Sequence, residues 1–280
     1  MAALRQEYRF YQVDVFGAEP LRGNPLAVVM GADGLADRQM AALAAWTNLS
    51  ETTFLLRPQH PEADYRVRIF TPQRELPFAG HPTLGSCHAW LRAGGVKRGE
   101  AVVQECQAGL VRIRQDGELL SFAAPKLVRT GPLEPAVLER ARRALGLAAD
   151  DVVASHWIDN GPGWLGLRLA SREAVLAVRP DYTGLDGPVG IVGPWSAADG
   201  AEAQFEVRAF IPGGYEDPVT GSLNASLAQW LIGDGVAPAS YVASQGTALG
   251  RAGRVHVRQE GGDFWIGGAV ATCVTGTITL

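Results

Sequence analysis

The stretch VRIFTPQRELPFAGHPTLGSCHAWLRAGGV at residues 67–96 returns, altered, as VRAFIPGGYEDPVTGSLNASLAQWLIGDGV at residues 207–236. At a shift of 140, Val67, Arg68, Phe70, Pro72, Ser86, Trp90, Leu91, Gly95 and Val96 recur as Val207, Arg208, Phe210, Pro212, Ser226, Trp230, Leu231, Gly235 and Val236. Nine identities in thirty positions stand against roughly two expected from average residue usage. In the middle the shift is 141, where Glu75-Leu76-Pro77-Phe78-Ala79-Gly80 meets Glu216-Asp217-Pro218-Val219-Thr220-Gly221. One inserted residue before Glu216, compensated after Gly221, explains the slip. The economical reading is a duplicated fold.

Each copy has the same local grammar. An alternating strand (Tyr65–Phe70; Phe205–Phe210) runs into a proline that ends sheet pairing. A Pro/Gly turn follows, and then a helix opens near His81–Pro82 or at Ser222, a residue type suited to an N-cap. Leu84, Cys87, His88 and Leu91 keep helical spacing, as do Leu223, Leu227, Trp230 and Leu231. Gly94-Gly95 and Gly233–Gly235 supply the stops.

Outward from the repeats, patterning places strands at Tyr8–Val15, Leu26–Met30, Thr52–Leu56, Ala101–Cys106, Leu110–Arg114, Val152–Trp157, Trp164–Leu169, Val189–Val192, Arg254–Arg258 and Val270–Thr279. Helices are placed at Asp37–Trp46, Pro135–Leu145 and Arg172–Val178. The seam between halves falls near Pro125–Pro135, where Lys126–Leu133 is polar, proline-flanked and unpatterned.

Composition narrows the function classes. The chain has 280 residues, 47% hydrophobic and 19% charged, with a net charge of -4 and no Lys/Arg run. That disfavours a nucleic-acid binder, which normally carries a basic stripe. No apolar run approaches the roughly 18–20 residues that span a bilayer, and the N-terminus carries no signal-like apolar core. Cys87, Cys106 and Cys273 are odd in number, far apart and without CxxC spacing, so buried free thiols in a cytoplasmic protein are expected. His60, His88, His156 and His256 lack metal-ligand spacing, with His256 expected on a strand surface. Dinucleotide, P-loop, zinc-protease and serine-hydrolase signatures are absent.

Chemistry concentrates at the duplicated turns. In halves that face each other, two helix N-termini would point their N–H groups into the cleft, an anion site suited to a carboxylate or phosphate. Gly80 and Gly221 would let a ligand approach the backbone. The turns differ where acid/base work requires it: the first carries His81, the second Asp217, Thr220 and Ser222. A third candidate is Glu51, a carboxylate at the mouth of an apolar strand, where partial burial favours proton exchange near neutrality.

At these residues the sequence resembles the PhzF (phenazine biosynthesis-like) family, within the diaminopimelate-epimerase-like fold. The matching motifs are Asp14-Val15-Phe16, Gly23-Asn24-Pro25-Leu26-Ala27-Val28 and Asn48-Leu49-Ser50-Glu51-Thr52. They continue through Arg68-Ile69-Phe70-Thr71-Pro72, Glu75 to Thr83, Glu216 to Ser222, and Gln245-Gly246 with Gly250-Arg251. The resemblance implies an α+β protein of two similar domains, each a curled, barrel-like mixed sheet around a central helix. It implies domains at 1–127 with a returning strand at 270–280, and at 128–269, with the active site between them. It further implies a cofactor-independent isomerase with Glu51 as the proton-transfer residue, His81, Asp217 and Ser222 lining the site, and the Gly80 and Gly221 turns holding a substrate carboxylate. No metal takes part, the partner is a small-molecule carboxylate rather than nucleic acid or membrane, and a homodimer is common. Related epimerases use a cysteine at each turn; here Ala79 and Thr220 stand there, which disfavours a two-thiol racemase. An epimerase using Glu51 with a second acid, and a non-catalytic binding protein on the same scaffold, are the rival readings.

Overall fold

The computed structural model describes residues 6–280 and divides into two compact units, one running to Ala123 and including Gly267–Leu280, the other Ala124–Ile266. These seams fall a few residues before the boundaries drawn from sequence.

The first unit contains β1 (Glu7–Val15), β2 (Asn24–Val29), α1 (Asp37–Thr47), β3 (Glu51–Leu56), β4 (Tyr65–Phe70), β5 (Glu75–Leu76), α2 (Gly80–Arg92), β6 (Val102–Cys106), β7 (Gly109–Asp116) and β8 (Leu119–Ala123). The second contains β9 (Arg129–Gly131), α3 (Pro135–Ala144), β10 (Val152–Asp159), β11 (Leu165–Leu169), α4 (Arg172–Ala177), β12 (Val189–Pro194), β13 (Phe205–Ile211), β14 (Tyr215–Asp217), α5 (Gly221–Gly233), β15 (Ser240–Gln245) and β16 (Gly253–Glu260). Strand β17 (Asp263–Thr279) starts in the second unit and returns to the first.

Duplication is explicit in the strand pairing. In the first unit β1/β2 is antiparallel, β2/β3 parallel, β3/β4 antiparallel, β4/β6 parallel and β6/β7 antiparallel. In the second, β10/β11, β11/β12, β12/β13, β13/β15 and β15/β16 repeat that order of directions. The short strands β5 and β14 pair with β4 and β13. In the first unit β7 also pairs with β8, β8 with β17, and β17 with β1, closing a ring. A closed ring leaves no open strand edge and demands an interior filled by side chains.

Helix α2 fills it, touching β1, β2, β3, β6 and β8. Its residues from Gly80 to Cys87 are all buried, which explains why a helix of modest amphipathicity sits there: it has almost no solvent face. Several of the enclosed polar groups bond to one another, as full burial favours. Ser86 Oγ donates to Thr53 Oγ1 at 2.9 Å, Gln104 Nε2 to Thr83 Oγ1 at 3.0 Å, and the Tyr65 hydroxyl to Gln104 Oε1 at 2.9 Å. On the other side of the same strands, α1 covers a second cluster of Tyr8, Val29, Met40, Leu43, Phe54 and Phe70. The second unit repeats the design, with α5 buried along most of its length and a further core of Leu145, Leu167, Val175, Ile191 and Phe210.

The repeated arginines of the opening motif occupy matching places. Arg68 holds Glu75 through Nε and Nη2, both at 2.7 Å, and lies over the Phe70 ring. Arg208 holds Glu216 at 2.9 and 2.8 Å and lies over Phe210. Each pair ties a short strand to its neighbour immediately before a turn that leads into a buried helix.

Several expectations need correction. Both buried helices open earlier than expected, at Gly80 and Gly221 with Ala79 and Thr220 as N-caps, so Ser222 lies inside the first turn. The stretch from Lys126 to Leu133 is not without structure, since β9 pairs there with β10. Cys87 and Cys106 are buried free thiols, whereas Cys273 is partly exposed, and His256 is half-buried rather than on an open surface. No helix among the described residues is long and apolar enough to cross a membrane.

Candidate functional site

Glu51 is the first residue of β3, paired in parallel with Leu26 of β2. That register sets the Glu51 carboxylate beside the start of β2, where Pro25 precedes Leu26. His81, the second residue of α2, reaches both. Its ring bonds to the Pro25 backbone carbonyl, and its Nε2 lies 3.4 Å from Glu51 Oε2. Nε2 itself has no aligned hydrogen bond, which leaves Nδ1 as the nitrogen donating to Pro25. The Nε2 lone pair therefore faces the carboxyl group, and a hydrogen bond closes between them when the carboxyl carries a proton.

Both groups are well enclosed, with side chains 5% and 14% exposed for His81 and Glu51. Burial pushes the His81 imidazole down to about 3, only partly opposed by the Pro25 bond. So weak a base does not hold a proton at neutral pH. The same shift has a stability consequence. The folded state disfavours the protonated ring while the unfolded chain takes it up near 6.5, so this stability is present above that value. It is lost progressively as pH falls from about 6.5 towards about 3. Urea denaturation across that range should show a fall in stability that is shallower in His81→Asn; an equal slope in the variant would contradict it.

The second turn is built differently. Asp217, the last residue of β14, accepts a hydrogen bond at Oδ2 from Thr220 Oγ1 at 2.7 Å and at Oδ1 from the Tyr215 hydroxyl at 3.3 Å. Gln245, at the end of β15 and almost fully buried, locks the turn from behind. Its Oε1 accepts from Thr220 N–H at 3.0 Å and from Asn224 Nδ2 at 2.8 Å, while its Nε2 donates to the Asp217 carbonyl and Thr220 Oγ1. Gly246, with φ +91°, follows so closely that a Cβ would lie 2.7 Å from the Pro218 carbonyl. The first intrahelical bond of α5 runs from Asn224 N–H to the Thr220 carbonyl, so the N–H groups of Gly221 and Ser222 point out of the helix end. Ser222 Oγ accepts from Trp164 Nε1 at 3.0 Å, and its carbonyl accepts from Asn160 Nδ2 at 3.0 Å.

The structure thus brings Glu51, His81 and the Gly80 turn together in one unit, and Asp217, Gly221 and Ser222 together in the other. The two copies are chemically unequal. With Thr52 paired to Phe70 and Val189 to the equivalent Phe210, the repeat counterpart of Glu51 is Pro188, so only the first unit carries a carboxylate at this place. Burial pushes the Cys87 thiol up to about 12 and raises Cys106, and neither lies in a turn. No group of three or more His, Cys, Asp or Glu that could hold a metal occurs among the described residues. Gln245 was legible only as part of a motif. Trp164 and Asn160 gave no signal beyond a glycine-rich turn, because their partner Ser222 lies about sixty residues away in sequence.

Comparison with known proteins gives this geometry a family. The family pattern described as phenazine biosynthesis-like protein (PhzC-PhzF) matches residues 13–276. A Schizosaccharomyces pombe protein named antisense-enhancing sequence 1 is 36% identical over 293 aligned residues, covering 96% of this chain and 98% of its own. The trans-2,3-dihydro-3-hydroxyanthranilate isomerase of Pseudomonas aeruginosa is 36% identical over 264 residues, covering 91% of each. A crystal structure of a PhzF-family protein from Enterococcus faecalis superposes with a TM-score of 0.82 at 26% identity, covering 98% of this chain and all of that one. Matched along nearly its whole length in sequence and in fold, the chain belongs to the phenazine biosynthesis-like family.

Proposed function

We propose that the protein is an isomerase that moves a proton within a small carboxylate-bearing metabolite, using Glu51 as the general acid/base and no cofactor. The observation that carries this reading is the enclosed Glu51 carboxylate facing a neutral imidazole at 3.4 Å. The carboxylate takes a proton from one carbon of the substrate. The ring then accepts a hydrogen bond from the resulting acid without removing its proton, and the acid delivers the proton to a second carbon of the same face. Such a shift needs one base that is also an acid, which suits a single carboxylate better than two groups on opposite faces. Gly221 and Ser222 supply N–H and O–H donors suited to a substrate carboxylate, with Asp217 at the same turn to orient the substrate, and Gly80 supplies a backbone N–H beside His81 and Glu51. The relatives named as isomerases support the reaction class.

The test is solvent exchange. Incubated in deuterium oxide with trans-2,3-dihydro-3-hydroxyanthranilate, the wild-type protein should move the ring double bonds and place one deuteron on carbon, seen by NMR. Loss of optical activity without a double-bond shift would instead establish an epimerase. Binding that stabilises the protein with no exchange would establish a non-catalytic binder.

A further inference from the structure

We propose that Trp164 is a positioning residue that sets Ser222 as a hydrogen-bond donor and thereby selects an anionic group over a neutral one. The inference rests on the reading that Ser222 binds the substrate carboxylate. Trp164 is 2% exposed, just ahead of β11. An indole N–H can only donate, so at 3.0 Å from Oγ it makes Ser222 the acceptor and occupies one lone pair. The tetrahedral oxygen then turns its own hydrogen away from the indole.

The rest of the serine is fixed as well. Its carbonyl can only accept, so the Asn160 amide must present Nδ2 to it, as it does at 3.0 Å. Asn160 and Trp164 bracket one tight turn, in which Gly161 and Gly163 adopt φ +132° and +92° and both donate their N–H groups to Asp159 Oδ1, at 2.7 and 2.6 Å. One rigid turn therefore grips Ser222 at its hydroxyl and at its backbone. A serine left alone in a first helical turn can rotate its proton towards nearby backbone acceptors. Here the indole bars the proton from the staggered position that faces it, because a proton there would leave the buried indole N–H without a partner. The result is a preorganised donor beside the outward N–H groups of Gly221 and Ser222, complementary to a carboxylate and unsuited to a group that must itself donate.

The experiment uses the full chain labelled with nitrogen-15. The Trp164 indole resonance is assigned by its loss in Trp164→Phe, or through bonds where that variant does not fold. Anthranilate, which carries a carboxylate, and anthranilamide, its neutral counterpart, serve as probes. Anthranilate should move this resonance in the wild type, and Ser222→Ala, which leaves Trp164 in place, should abolish the movement. Trp164→Phe should weaken anthranilate roughly three- to tenfold, the span of one hydrogen bond between neutral groups, with anthranilamide changed less than about twofold. The proposal is overturned by a wild-type resonance indifferent to millimolar anthranilate, by a response that survives Ser222→Ala, or by equal weakening of both probes. Deuterium exchange that fails while these responses hold would remove the isomerase reading and leave the role of Trp164 standing; the converse result separates them the other way.

Discussion

Glu51→Gln should lower solvent-deuterium incorporation by roughly a hundred- to ten-thousand-fold while leaving ligand affinity and thermal stability close to wild type. Glutamine keeps the length and planarity of the side chain but cannot take up or release a proton. The substitution is also structurally mild here. The His81 Nε2 lone pair faces the position of Glu51 Oε2 at 3.4 Å, and a glutamine amide can donate into it much as the protonated acid does. Lost activity therefore cannot be attributed to a disordered pair. Solvent-deuterium incorporation and thermal shift on the same preparation measure both quantities. Retention of more than about a tenth of wild-type exchange would show that another group carries the proton. In that event Asp217 becomes the candidate, and a second acid would revive the epimerase alternative.

Much of the architecture was legible because the repeat exposed it. The identities between 67–96 and 207–236 fall on the strand, turn and helix that each unit needs to fill its sheet, and the order of strand directions then follows twice. Where patterning was strong the elements match closely: α1 spans Asp37–Thr47, β11 Leu165–Leu169, and Glu51 opens β3 as its place in the motif suggested. The inequality of the two turns was also visible in the residues themselves.

What was not legible depends on partners distant in sequence. Strand β15 (Ser240–Gln245) has weak alternation and exists because β13 and β16 supply ladders on both sides. The long β17 was seen only from Val270 onward because Gly267-Gly268 interrupts its pattern, yet at Gly267 an added Cβ would lie 2.7 Å from the Leu120 carbonyl. There the glycine permits close strand packing instead of ending the strand. Ser222 looked like an N-cap by residue type, but Gln245 holds the Thr220 N–H, moving the cap back and freeing the serine hydroxyl for Trp164. Local preference yielded to a buried glutamine that no short window contains.

The duplicated arginines give the largest expected effect on stability, and the two copies should respond unequally. Arg208 and Glu216 have side chains 5% and 7% exposed, against 19% and 31% for Arg68 and Glu75. Beyond its carboxylate, Arg208 donates through Nη1 to the carbonyls of Val178 at 2.7 Å and Val175 at 3.2 Å, at the C-terminal end of α4 where a cation is favoured. Arg68 instead spends Nη1 on the exposed Asp37 carboxylate, at 2.6 Å. Removing one partner of a buried pair strands the other charge, so Arg208→Met should destabilise by about 3–5 kcal/mol. Arg68→Met, at a site where water can resolvate Glu75, should cost about 1 kcal/mol. Replacing both members in Arg208→Met/Glu216→Leu should recover part of the loss, because no charge is then left buried, although the α4 carbonyls still lack their donor. Equilibrium urea unfolding of the three variants measures this; equal losses at Arg208 and Arg68 would contradict the burial argument. The consequence reaches the site, because Glu216 immediately precedes Asp217 in β14. Arg208→Met should therefore weaken anthranilate binding under conditions where the protein remains folded, whereas a loss confined to stability would mean that Gln245 alone holds the second turn.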